Sequence, residues 1–263
     1  MQLSAENKRL LSQLRVFDSH LHIVDTRFPL LLNDGYLPEQ FTCADYLSRT
    51  ASFKLQGGAV VSGSFQGFDQ SYLEDALRVL GPSFVGVTQL PASVSDAEIL
   101  RLNGLGVRAL RFNIRRGGSE EIEHLASMSH RVHDLARWHV ELYADSSKLD
   151  EIYETLVALP SVSIDHLGLS RSGLPTLLKL VEKGVRVKAT GFSRVEFDVR
   201  QALRDICAAN PQSLMFGTDL PSTRAPKPYT DQDLLLVVDS IDPGFVTAVL
   251  ENNATELYKP TGS

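Results

Sequence analysis

Eight short runs of β-branched and aliphatic residues, each closed by polar, glycine or proline residues, recur along the chain, and that recurrence restricts its fold more than any other feature. They are RVFDSHLH (15–22), GGAVVSGS (57–64), FVGVTQL (84–90), VRALRFNI (107–114), HVELYAD (139–145), SVSIDHLG (161–168), VRVKATGF (185–192) and SLMFGTDLP (213–221). Each has the length and residue types of a strand. Between them lie segments with apolar residues at helical spacing, among them SYLEDALRVLG, EEIEHLASMSHRVHDLARW and VRQALRDICAAN. Gly81, Gly106 and Gly184 end three such segments, where a helix terminus takes a left-handed residue. Strand and helix alternating at intervals of roughly 20 to 45 residues read as parallel β/α units, and eight of them favour closure into a (β/α)8 TIM barrel over an open sheet. The length of 263 residues suits one such barrel. No GxGxxG follows the first run, which counts against a dinucleotide-binding Rossmann fold. Without a proline- or serine-rich linker, a charge block or an internal repeat, residues 1–263 are expected to form a single domain.

The charge balance narrows the partners. With 32 acidic against 26 basic residues the net charge is −6, so the chain lacks the electropositive surface that draws in nucleic acid or an anionic membrane. A few arginines in a cleft can still attract a small anion, and a small-molecule substrate is the expected partner. Cys43 and Cys207 show no CxxC or CxH spacing, so a disulfide framework is not expected. The start, MQLSAENKRLLSQLR, has no apolar core of a secretory signal. No run approaches the roughly 18 apolar residues of a membrane span, and cytoplasmic residence is the expectation.

In a barrel the strand C-termini carry function. The longest irregular stretches, 24–42 and 220–230, follow the first and eighth runs. His20 and His22 are two apart in the first strand, so a period of two places both on one face, with Asp18 beside them. His166 closes the sixth strand, and alternation sets it with Val162 and Ile164, leaving Asp165 to point outward toward backbone N–H groups. Asp219 in FGTDLP shares a face with Met215 and Gly217 at the end of the last strand. There it can take a proton from water, ligate a metal, or cap a following helix. His139, Glu141, Tyr143 and Asp145 share a face of the fifth strand. His124, His130 and His133 read as a solvated helix face, and Trp138 as a packing residue.

DSHLH, DHLG and FGTDLP, in that order and spacing, resemble the amidohydrolase superfamily, and within it the amidohydrolase-2 group of 2-pyrone-4,6-dicarboxylate lactonases and sugar lactonases. The similarity spans residues 15 to 258. It implies a hydrolase that opens a lactone or similar ester-like bond, with Asp219 as general base and His20, His22 and His166 polarising the carbonyl. Metal-dependent members of the superfamily carry a histidine, or a bridging lysine or glutamate, on strands four or five. The dicarboxylate lactonases instead carry a tyrosine like Tyr143, a poor divalent ligand near neutral pH. That points to a site without a cofactor, or with one weakly held ion. Those lactonases also place an arginine three residues after the strand-six histidine, where this chain has Leu169; Arg171 stands near as a substitute. Arg111, Tyr143, Arg194 and Arg224 are the expected substrate-binding residues, the arginines suited to bidentate recognition of a carboxylate. Two other readings remain open at this point. One is a metal hydrolase or non-oxidative decarboxylase with one Zn2+ or Mn2+ on His20, His22 and Asp219. The other is a barrel that binds a metabolite without turning it over. Relatives of this kind are often dimers or trimers, and no homo-oligomer interface is legible in the sequence.

Overall fold

A computed structural model describes residues 3–262. All eight runs form strands: β1 (Arg15–Leu21), β2 (Lys54–Val61), β3 (Phe84–Thr88), β4 (Val107–Phe112), β5 (His139–Leu142), β6 (Val162–Ile164), β7 (Arg186–Ala189) and β8 (Leu214–Phe216). They lie side by side in chain order, every neighbouring pair parallel. Helix α1 (Ala5–Leu11) precedes the barrel; α2 (Cys43–Arg49), α3 (Ser71–Leu80), α4 (Asp96–Gly104), α5 (Leu125–Ala136), α6 (Tyr153–Ala158), α7 (Leu174–Glu182) and α8 (Val199–Ala209) follow β1 to β7 in turn, and α9 (Asp231–Ser240) and α10 (Asn253–Tyr258) complete the chain. The fold is the (β/α)8 barrel that the strand count led one to expect. Gly81, Gly106 and Gly184 all take positive φ at helix ends.

Alternation along the strands divides the apolar residues into two cores. Val60, Leu110, Phe112, Val140, Leu142, Ile164, Val187 and Phe216 pack outward against the helices. Phe17, Ala59, Val61, Val85, Val87, Ala109 and Met215 fill the barrel interior, joined by Ala254 and Tyr258 of α10.

The seam between β1 and β8 is made beyond the regular strands. Asp219 N donates to His20 O at 2.8 Å and His22 N to Leu220 O at 2.7 Å. Asp18 fastens the same seam, its buried carboxylate accepting from Thr218 N (2.8 Å), Thr218 Oγ1 (2.6 Å), Tyr46 OH of α2 (3.0 Å) and His20 N (3.1 Å). Asp18 therefore does not share the inner face with His20 and His22. A bulge is the reason: Asp18 pairs with Gly58 and Leu21 with Val60, three residues of β1 against two of β2. The extra residue turns Asp18 toward α2 and keeps both histidines inside.

Candidate active site

His20 of β1 and His22, just past its end, stand edge to face, ring centroids 5.0 Å apart, and the His166 ring lies 4.9 Å from that of His20. His22 Nδ1 sits 2.7 Å from Val61 O. A carbonyl only accepts, so Nδ1 carries the proton and a neutral ring presents Nε2 as an acceptor.

Asp219 completes the group. Its Oδ1 lies 3.8 Å from His20 Nε2 and 3.7 Å from His22 Nε2, and neither Oδ1 nor His20 Nε2 has a hydrogen-bond partner among the described residues. Its Oδ2 accepts from Arg194 Nη2 (2.7 Å) and Nε (3.0 Å), so the side chain is pinned into the site rather than capping a helix. Burial raises the Asp219 carboxyl, but Arg194, His166 and His22 outweigh it and hold it far below the ordinary carboxylate range. Gly217, two residues earlier, lets the strand pass close to β1; a Cβ there would stand 2.8 Å from His20 N and 2.7 Å from Thr190 Cγ2.

At the end of β6 simple alternation fails. Val162 and Ile164 belong to the outer core, yet both residues that follow point inward. Asp165, expected to face outward, is fully buried, accepting from Arg111 Nη2 at 2.8 Å. His166 takes φ 51°, which turns its ring back beside His20 and Tyr143, the latter 5.0 Å away. Its Nδ1 meets Thr190 Oγ1 at 2.6 Å. Burial holds His166 well below the usual imidazole range and lowers His20 to about 4, the latter against the pull of the Asp165 carboxylate.

Of the expected substrate-binding residues, Arg111, Tyr143, Arg194 and Arg224 all line an inner pocket with His22, His166 and Asp219. Arg111 also donates to Ser62 O at 2.6 Å, with its guanidinium 5.4 Å from the Tyr143 ring. Arg224 donates to Asn33 O and stacks over Tyr36 at 4.5 Å. An outer cleft of about 840 Å³ shares Arg116, Tyr143, Arg194 and Arg224 with the inner pocket and adds Arg115 and Arg171. Five arginines thus face two acids, Asp145 and Glu196. Leu169 lies on this wall and Arg171 beside it. Asp145 sits away from the barrel interior, accepting from Ser147 N at 3.0 Å and Oγ at 2.7 Å.

Beneath the histidines lies a charged layer that the sequence reading did not assign. Lys188 of β7, fully buried, donates to Glu141 Oε2 and lies 3.3 Å from His20 Nδ1. Glu141 also meets His139 Nε2 at 3.1 Å and accepts from Tyr258 OH. A signal existed: Val187 and Ala189 flank Lys188 and pack outward, so alternation alone puts the lysine inside the barrel.

The atoms of His20, His22 and Asp219 lie within 4.8 Å of one another, as do those of His20, Asp165 and His166, a spacing that admits a divalent ion. Their surroundings do not suit one. The Arg194 guanidinium occupies Asp219 Oδ2, Arg111 occupies Asp165 Oδ2, and the Lys188 ammonium faces the far side of His20. Three fixed cations around the cluster oppose another of charge +2.

Residues 17–259 match the model of an amidohydrolase family, and the chain belongs to that family and is a hydrolase. Its curated relatives include the 2-pyrone-4,6-dicarbaxylate hydrolase of Comamonas testosteroni, 26% identical over 276 residues that cover 92% of this chain and 90% of the relative. Among solved structures, an Agrobacterium tumefaciens protein superposes with a TM-score of 0.82 at 20% identity, covering 95% of this chain and 98% of its own. An Acinetobacter baumannii protein provisionally assigned as a 2-pyrone-4,6-dicarboxylic acid hydrolase, crystallised with citric acid, gives 0.81 at 21% identity, covering 94% and 100%. Both likenesses show the barrel fold. Among the described residues no helix is long and apolar enough to cross a membrane.

Proposed function

We propose that the protein hydrolyses a small lactone bearing one or more carboxylates, without a metal. The observation that carries the reading is Asp219, whose Oδ2 is fixed by Arg194 while its Oδ1 faces His20 and His22 with no hydrogen-bond partner among the described residues. A water between Asp219 Oδ1 and His22 Nε2 meets two acceptors and has a proton for each. As its oxygen bonds to the lactone carbonyl carbon, Asp219 takes one proton. The ring C–O bond then breaks and the departing oxygen receives that proton, leaving a ring-opened acid. His166 and the Nε2 edge of His20 flank the carbonyl and stabilise the oxyanion.

A carboxylate held as low as Asp219 is a weak base, and Arg194 is the strongest cause of that. A substrate carboxylate entering beside Tyr143 competes for the same guanidinium, and drawing Arg194 away raises the basicity of Asp219 when the substrate is in place. The arginine-lined cleft and the relatives' dicarboxylate substrates both support an anionic lactone.

The test is a panel of carboxylated and neutral lactones scored by acid release, with wild type and Asp219→Asn compared. Turnover of a carboxylated lactone is expected, with Asp219→Asn slower by about a hundredfold or more and its fold preserved. Activity that vanishes on chelation and returns with Zn2+ or Mn2+ would favour the metal reading. An Asp219→Asn variant as active as wild type would end the proposal.

A further inference from the structure

We infer that Lys188 is a positioning residue that fixes His20 in the tautomer protonated at Nε2, making His20 a hydrogen-bond donor to the reacting carbonyl. The inference deepens the lactonase reading and rests on it only for the last step, from tautomer to catalysis.

His20 Nδ1 has two polar neighbours. Lys188 Nζ, 3.3 Å away, makes a hydrogen bond to it, whereas Asp165 Oδ1, at 3.4 Å, makes none to any described residue. The two neighbours demand opposite things of the ring. An ammonium has only protons to give, so Nδ1 must accept from it; a carboxylate has only lone pairs, so Nδ1 would have to donate. The ammonium is ion-paired to Glu141 Oε2 and lies 3.5 Å from Asp165 Oδ1, and it remains in reach of the imidazole. Asp165 is in turn drawn aside by Arg111, which takes Oδ2 at 2.8 Å. The hydrogen bond that forms is therefore the one from Lys188, and the single proton of a neutral His20 goes to Nε2.

That proton points to the place where it has a use. His20 Nε2 is buried with no hydrogen-bond partner among the described residues and faces Asp219 Oδ1, equally without one among them, at 3.8 Å. The gap is too wide for a direct hydrogen bond, and an oxygen of substrate or water lying to one side of the line between them can reach both. His22 presents a lone pair at Nε2 and His20 a proton, so the two imidazoles, alike in sequence, are opposite in character. The backbone carbonyl of Val61 sets one and the ammonium of Lys188 the other.

The test reads the tautomer directly. In 15N-histidine-labelled protein near neutral pH, His20, assigned by its loss from the His20→Gln spectrum, is expected to show a pyridine-type shift at Nδ1 and a pyrrole-type shift at Nε2. Lys188→Met should move the proton to Nδ1, where Asp165 can accept it. It should also lower kcat on the best lactone of the panel by about a hundredfold with KM changed less than about threefold. A pyrrole-type Nδ1 in wild type overturns the inference, and so does an unchanged His20 tautomer in Lys188→Met. Where Lys188→Met does not fold, the wild-type spectrum alone decides. The spectrum needs no substrate, so a lactone panel without turnover removes the catalytic reading and leaves the tautomer assignment standing.

Discussion

Arg194 is the side chain on which recognition and chemistry meet. It spends two of its donors on Asp219 and a third on Thr223 O at 2.9 Å, so it restrains the base in the free protein, and it lines the same pocket as Tyr143, where a substrate carboxylate can reach it. Arg194→Met should therefore separate the two roles. With a carboxylated lactone kcat/KM should fall by about a hundredfold or more, as the lost ionic recognition dominates. With a neutral lactone the loss should be about tenfold or less, because the freed Asp219 gains basicity. Steady-state kinetics on the matched pair checks this, and equal losses on both would separate Arg194 from substrate recognition. A lysine is no substitute, since it lacks the planar fork that spans two carboxylate oxygens.

The bulge in β1 is what allows one strand to carry a structural carboxylate and two site imidazoles in five residues. Asp18→Ala strips the acceptor from four donors at the seam, Thr218 N and Oγ1, Tyr46 OH and His20 N. Urea denaturation should show a loss of about 3 kcal/mol. A loss below about 1 kcal/mol would mean that the seam is held elsewhere. The bulge also marks the limit of what the sequence disclosed. The eight strands were legible because a buried parallel strand needs a run of apolar residues. His20, His22, His166 and Asp219 stood out because strand ends in a barrel are where polar residues gather. The orientations of Asp18 and His166 were not legible, because alternation assumes an unbroken pleat; Asp165 keeps that alternation opposite Ile164 and faces inward because of it. An inserted residue in β1 and a left-handed φ at His166 break it, and neither has a residue-type signature in DSHLH or IDHLG. Lys188 lay within reach of the same alternation, although a fully buried lysine is rare.

At the scale of the whole molecule, burying imidazoles ties stability to pH. Burial lowers His20 to about 4 and lowers His139 and His166 as well. The unfolded chain takes up protons at these positions near the ordinary value of about 6.5, which the folded chain resists. Their contribution is thus complete above about 6.5 and is lost as pH falls toward the folded values. Asp18 works in the opposite sense, since burial raises it to about 6 and the folded state gains from its protonation. With three histidines against two carboxyls, Asp18 and Asp233, the latter also raised by burial, the melting temperature should fall between pH 7 and pH 5. Calorimetry across that range checks the sign, and a flat or rising trend would mean that the imidazoles titrate alike in both states. The arginine-lined mouth carries a different consequence. Opening a lactone creates a carboxylate, so under the reading proposed above the molecule that leaves is one charge more negative than the one that entered. The five guanidinium groups that gather the reactant therefore grip its successor harder, and the same charges that speed entry to the cleft slow escape from it.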